Sequence, residues 1–362
     1  MMPIACHDII GLSAGECVEG RTKYWETGLR TSLRIIDIFP HIMTARVQQS
    51  LEEKSKDRRY AMQTRKTAPA LFDLEERWRD LGQCEGLVEV LNINAPIEYM
   101  LDPKDAVEVA RMANDDLAEL VARFPDRFVA AIACLPLNDM DAALAETDRA
   151  IKELHFKGIR MHSSMNLKPM DSPEFFDLYE KMEQFDLPIW VHPVRDLDLP
   201  DYPGEKNSKY GMVHILGWPY ETSLAMARLV SGGVMERFPR LNFITHHCGG
   251  MVPFFADRLA AMLSRSGNIN PGKGTAAGSS PAGQLKRFYG DTVVHGNTSA
   301  LMCGYDFFGA DHLLFGTDYP SGGGGRRTNI DAVEKMHISR QDKEKIFSRN
   351  AEGLLHLQGL RK

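Results

Sequence analysis

The chain has 362 residues, 43% of them hydrophobic and 25% charged, which is ordinary globular usage and excludes a disordered or collagen-like polymer. Forty-three Lys and Arg stand against 49 Asp and Glu, a net charge of −6 with no basic stripe, so neither nucleic acid nor an anionic membrane is the expected partner. The longest apolar run, Phe128–Leu137, is about half the ~20 residues a spanning helix needs.

Residues 1–33 contain no apolar core of signal-peptide length and read as an N-terminal extension. The six cysteines show no C-x-x-C spacing and are too sparse for a disulfide scaffold, so they read as reduced thiols in a cytoplasmic protein. From residue 34 onward, eight short apolar runs alternate with helical patterns. They are Arg34–Phe39, Gly86–Ile93, Arg127–Leu135, Lys157–His162, Pro188–Pro193, Asn242–His247, Asp291–Asn297 and His312–Thr317. Several are apolar on both faces, as strands of a helix-covered parallel sheet should be. Between them, Phe175, Leu178, Tyr179, Met182 and Phe185 form one helical stripe behind Ser172-Pro173. Met226, Leu229, Val230 and Val234 form another. This order predicts an α/β fold, either a closed (β/α)8 barrel or a doubly wound sheet. Three connections are long: 44–83, charged and helical; 195–220; and 264–286, rich in Gly, Ser, Ala and Pro.

Metal-binding residue types gather at the C-terminal ends of these runs. His41 ends the first, His192 the fifth, His246 and His247 the sixth, and Asp318 the eighth. In a barrel those ends meet at one mouth, and three nitrogen or oxygen ligands with an open position make a catalytic divalent-metal site.

The chain resembles the aminocarboxymuconate-semialdehyde decarboxylase-like branch of the amidohydrolase superfamily. The likeness is carried by Asp37-Ile38-x-x-His41, Val191-His192-Pro193, Gly217-Trp218-Pro219-Tyr220-Glu221-Thr222-Ser223 and Gly232-Gly233-Val234-Met235-Glu236-Arg237-Phe238-Pro239. It continues through His247-Cys248-Gly249-Gly250-Met251-Val252-Pro253-Phe254, Phe315-Gly316-Thr317-Asp318-Tyr319-Pro320 and Asn350-Ala351-x-x-Leu354-Leu355. The resemblance implies one (β/α)8 TIM-barrel domain over residues 34–356, with the insertion at about 44–83, further insertions after strand five and after the helix following strand six, and a tail at 357–362. It implies one divalent metal, zinc first and manganese second, with His41, His192 and Asp318 as ligands. It also implies that His247 is the acid/base residue, with Asp318 sharing the catalytic role. The implied activity is nonoxidative decarboxylation, or hydrolysis, of a small carboxylated, aromatic-derived or unsaturated compound. Members are commonly dimers, so a homodimer is the expected assembly.

One position departs from the pattern. Phe39 stands where the usual His-x-His pair has its first histidine, or a glutamate in some decarboxylases, and phenylalanine cannot ligate a metal. Strand alternation puts residues 37, 39 and 41 on one inward face, with Asp37 about 7 Å deeper and in a structural role. The alternative is therefore a barrel with a weakened or lost metal site, serving as a binding or regulatory protein. On the substrate side stand Arg195, Arg160, Trp218 and His246. The glycine-rich stretch Ser321–Arg327 reads as a flexible loop with two solvated arginines, and Cys248 points away from the site.

Overall fold

A computed structural model describes residues 34–56, 68–93, 95–165, 168–265, 280–321 and 325–357. Arg34–Lys362 form one compact unit, divided from Met1–Leu33. The extension at 1–33, the centres of the first and third long connections and most of the tail lie outside the described residues.

The strands are β1 (Ile35–Asp37), β2 (His41–Ile42), β3 (Leu87–Ile93), β4 (Phe128–Ala131), β5 (Ile159–His162), β6 (Ser164–Met165), β7 (Lys168–Pro169), β8 (Ile189–His192), β9 (Phe243–Thr245), β10 (Tyr289–Asp291) and β11 (Leu313–Leu314). Apart from the small antiparallel β6–β7 hairpin, every pairing is parallel. One set runs β11-β10-β9-β8-β5, and in the other β1, β2 and β4 all pair with β3. A bridge from Ala133 to Ile159 joins the two sets at one seam. At the other seam the Ile38 N–H donates to the Phe315 carbonyl (3.0 Å), the Asp318 N–H to that of Phe39 (3.0 Å) and the His41 N–H to that of Tyr319 (2.6 Å). The ring of backbone hydrogen bonds therefore closes. Counting β1 and β2 as one bent strand, this is an eight-stranded parallel barrel, and the doubly wound alternative falls away.

Register sorts the interior into two layers. Ile36, Ile38, Val90, Ala130, Ile132, Trp190, Ile244 and Leu314 form the apolar lower layer, closed from below by Leu355 and Leu357. Full burial of each large apolar side chain stabilises by about 1.5–3 kcal/mol. Above them, toward the C-terminal ends, the interior turns polar: His41, Asn92, Arg160, His162, His192, His246, Asp291 and Asp318 are all buried.

Two expectations are corrected. Asp37 does not share the inward face with Phe39 and His41. It pairs in register with Glu89, which bonds Arg77 of the outer helix Leu74–Gly82. Ile38 and Phe39 both enter the interior cluster, so the two-residue alternation slips by one there. The cause is local: the Asp37 carboxylate accepts the Phe39 N–H (3.1 Å), an Asx-type turn that bends the strand. The seventh barrel strand is Tyr289–Asp291, not Asp291–Asn297. Thr292–Val294 is β-branched but folds into turns, with the Val294 N–H on Thr292 O and the Asn297 N–H on Val294 O, and Asn297 then caps helix Thr298–Phe308.

The expected helical stripes lie on Phe176–Phe185, entered by a short 3-10 turn at Pro173–Phe175, and on Trp218–Ser231 with Val234–Arg237. Among the described residues, no helix is long and apolar enough to cross a membrane.

Candidate metal centre

His41, His192, His246, His247 and Asp318 meet at the mouth. Their elements explain why. His41 opens the short β2 at the top of the bent first strand, β8 ends at His192, β9 ends just before His246, and the chain leaving β11 reaches Asp318 after alternating inward at Leu314, Gly316 and Asp318.

The histidines are held by a common device. His41 Nδ1 lies 3.2 Å from Asn92 Oδ1, and the Asn92 amide is oriented by donating to the Pro40 carbonyl (2.7 Å). His192 Nδ1 lies 2.7 Å from the Pro193 carbonyl. His246 Nδ1 lies 2.5 Å from Asp291 Oδ2. Each backing group is an acceptor, so each Nδ1 carries the hydrogen and each Nε2 is left facing inward. His41 Nε2 then meets Asp318 Oδ1 at 2.9 Å, and His246 Nε2 meets the same oxygen at 3.6 Å. Neither Nε2 has a hydrogen-bond partner among the described residues, although both are buried. Buried ring nitrogens that converge on a carboxylate are stabilised by positive charge between them, whether a proton or a bound cation. Imidazoles whose outer N–H is anchored to a carbonyl or carboxylate are the usual presentation of metal ligands. The residues present therefore fit a divalent ion.

Burial holds His41 below the ordinary histidine range and His192 well below it. His246 also feels burial, but Asp291 and Asp318 outweigh it and push the group up to about 9. Asp318 is drawn far below the carboxylate range, because contacts with His246 and His41 overcome its desolvation.

His247 sits in a left-handed backbone turn (φ 54°) just past β9. Its ring lies 3.8 Å from that of His246 and, at 6.1 Å, faces Trp218. Its Nδ1 is buried without a hydrogen-bond partner among the described residues. Burial, then the neighbouring His246, holds His247 well below the usual range, where a poise near neutrality would be expected of an acid/base residue.

A cavity of about 290 Å3 opens beside His192, walled by His162, Arg195, His214, Trp218 and Tyr99. Arg195 is tethered to Glu221 (2.7 Å), and a side chain at Gly217 would strike its Cδ, so that glycine lets the arginine pass. Arg160 is held inside the barrel by the Asn92 side chain and the carbonyls of Ile93 and Ala95. Phe39 is buried and stacks on His246. Cys248 donates its N–H to Asp291, and its thiol packs at Gly304, away from the cavity.

Sequence reasoning missed Asn92 and Asp291, which orient two of the histidines, and Glu98, which holds His162 at 2.5 Å. Asn92 and Asp291 lie near strand ends, so a search for polar groups there, beyond metal-binding types, would have found them. Arg326 is a further correction. It is buried and bonds Glu89 (2.5 Å), so only Arg327 of that pair is solvated.

A closed parallel barrel with histidines and an aspartate gathered at its C-terminal mouth defines a class of metal-dependent barrel proteins. The chain belongs to the amidohydrolase family, whose model matches residues 79–357. It is 28% identical over 254 residues to 2-amino-3-carboxymuconate-6-semialdehyde decarboxylase of Dictyostelium discoideum, covering 69% of this chain and 67% of that protein. It is 31% identical over 306 residues to gamma-resorcylate decarboxylase of Rhizobium radiobacter, covering 80% and 89%. A dihydroxybenzoic acid decarboxylase of Polaromonas, solved with bound manganese and the inhibitor 2-nitroresorcinol, superimposes with a TM-score of 0.72 at 27% identity, over 90% of this chain and 97% of that one.

Proposed function

We propose that this chain is a metal-dependent nonoxidative decarboxylase of a small hydroxylated aromatic carboxylate. The observation that carries the reading is the set of anchored imidazoles facing Asp318 beside a cavity with an arginine and a tryptophan in its wall. His41, His192 and Asp318 would hold the ion. Imidazole-rich sites suit zinc, and manganese is the alternative on the precedent of the Polaromonas enzyme. A bound divalent ion would supply Lewis acidity toward a substrate oxygen.

The chain's own groups do the rest. Trp218 offers an aromatic wall for the ring. Arg195, steadied by Glu221, faces the same cavity and attracts the carboxylate. Arg160 stiffens the wall from within. His247, behind the Trp218 wall, is kept neutral by burial, and an incoming anion raises its proton affinity. The protonated imidazole then gives its proton to the ring carbon that bears the carboxylate. The carbon–carbon bond then breaks, its electron pair returns to the ring π system and restores the aromatic ring, and CO2 leaves. Cys84, Cys134, Cys248 and Cys303 are free thiols, which supports a cytoplasmic location.

The test is CO2 release from a panel of hydroxybenzoates by metal-loaded protein. Release is expected for at least one member, and a hydrolytic product without CO2 contradicts the reading.

A further inference from the structure

Phe39 and His41 both face the interior from the bent first strand, but only His41 carries a donor atom. The ring of His246 covers Phe39, with centroids 3.9 Å apart and planes within 10°. That stacking, with the anchor from Nδ1 to Asp291, fixes the plane of a fully buried imidazole. Asp291 is itself immobilised, because its other oxygen accepts the N–H groups of Cys248 and Val293 (both 2.9 Å). Among the described residues, Nε2 is the ring nitrogen of His246 left without a hydrogen-bond partner, and it lies 3.6 Å from Asp318 Oδ1. Ring nitrogens of His41, His192 and His246 lie within 4.8 Å of one another.

We propose that His246 is a metal ligand through Nε2, completing a set of His41, His192, His246 and Asp318, with Phe39 as the apolar platform that orients it. The inference rests on the metal-dependent reading above. It moves His246 from the substrate side to the metal and removes the argument that Phe39 weakens the site. The competing role is a cationic clamp, in which a protonated His246 only bridges Asp291 and Asp318.

The experiment is titration of chelator-stripped protein with Mn2+ by calorimetry, together with the X-ray absorption spectrum of the zinc-loaded protein. For the wild type we expect Mn2+ binding and three imidazoles on zinc. His246→Ala is expected to lose at least about 100-fold in Mn2+ affinity, and Asp291→Asn, which keeps the shape of the anchor, about 10–100-fold. Adding Phe39→His to His246→Ala should return at least about tenfold, since a donor is restored to the same space. Unchanged Mn2+ affinity in His246→Ala, or two imidazoles in the wild-type spectrum, overturns the ligand assignment and leaves the metal reading standing. A wild type that binds neither ion overturns the metal reading itself. The wild-type spectrum needs no variant, so a His246→Ala protein that fails to fold does not block the test.

Discussion

Replacing His247 by alanine removes the proton carrier but none of the groups proposed to hold the metal. His247→Ala is therefore expected to keep its metal and lose about 10²–10⁴-fold in turnover, measured as kcat beside metal content. His192→Ala and Asp318→Ala should each lose metal and activity together. Full turnover in the His247 variant would refute the proton-transfer role. Much at this level was legible before any fold was known, because His41, His192, His247 and Asp318 all occur where strands end. What fixes their tautomers was not. Asn92 backs His41 across 51 residues of sequence, and Asp291 backs His246 across 45, so both pairings depend on register between neighbouring strands.

The first strand shows how a single hydrogen bond redirects an element. Because Asp37 captures the Phe39 N–H, the strand bends, and Asp37 leaves the interior for a buried network beneath the outer helices. Glu89 is the centre of that network, bonded by Arg77 (2.8 Å) and Arg326 (2.5 Å), while Arg77 also donates to the His41 carbonyl (2.8 Å). Glu89→Ala would leave two buried guanidinium groups without their anion. It is expected to cost about 3–5 kcal/mol, read as a lower midpoint in denaturant. It should also weaken metal binding, since the backbone of His41 hangs from Arg77. A midpoint within error of the wild type would show that the network carries little. Periodicity located these strands but not their phase or ends. An Asx turn leaves no mark on a hydrophobic pattern, and the β-branched residues Thr292–Val294 look like a strand until their N–H groups are seen to close turns.

In the molecule as a whole, the apolar lower layer closes the barrel and the upper layer concentrates ionisable groups away from water. That arrangement fixes how stability depends on pH in the metal-free state. Burial holds His41, His162, His192 and His247 below the ordinary value of 6.5. Below that pH the unfolded chain binds protons that the folded chain refuses, so stability falls with falling pH, by up to about 1.4 kcal/mol per pH unit for each group. Asp37 acts in the opposite sense. Burial and then Glu89 push it up to about 7, so between pH 7 and 3.8 the folded chain holds a proton that the unfolded chain does not. It offsets about one of the four histidines. His246, raised to about 9, stabilises fully below pH 6.5 and loses that contribution as pH rises through 9. The melting temperature of chelated protein should therefore fall from pH 6.5 to pH 5, and a flat profile there would contradict the burial of neutral histidines.

The barrel itself was legible because eight apolar runs alternate with helices and carry the family's motifs in order. Closure was not, since it rests on backbone bonds between the first and last strands, which lie about 280 residues apart. The most direct test of the central claim is CO2 evolution from gamma-resorcylate and related hydroxybenzoates by protein assayed before chelation, after chelation, and after Mn2+ or Zn2+ is returned. Release is expected that chelation abolishes and metal restores. Release that survives complete removal of metal, or consumption of substrate without CO2, would contradict metal-dependent decarboxylation.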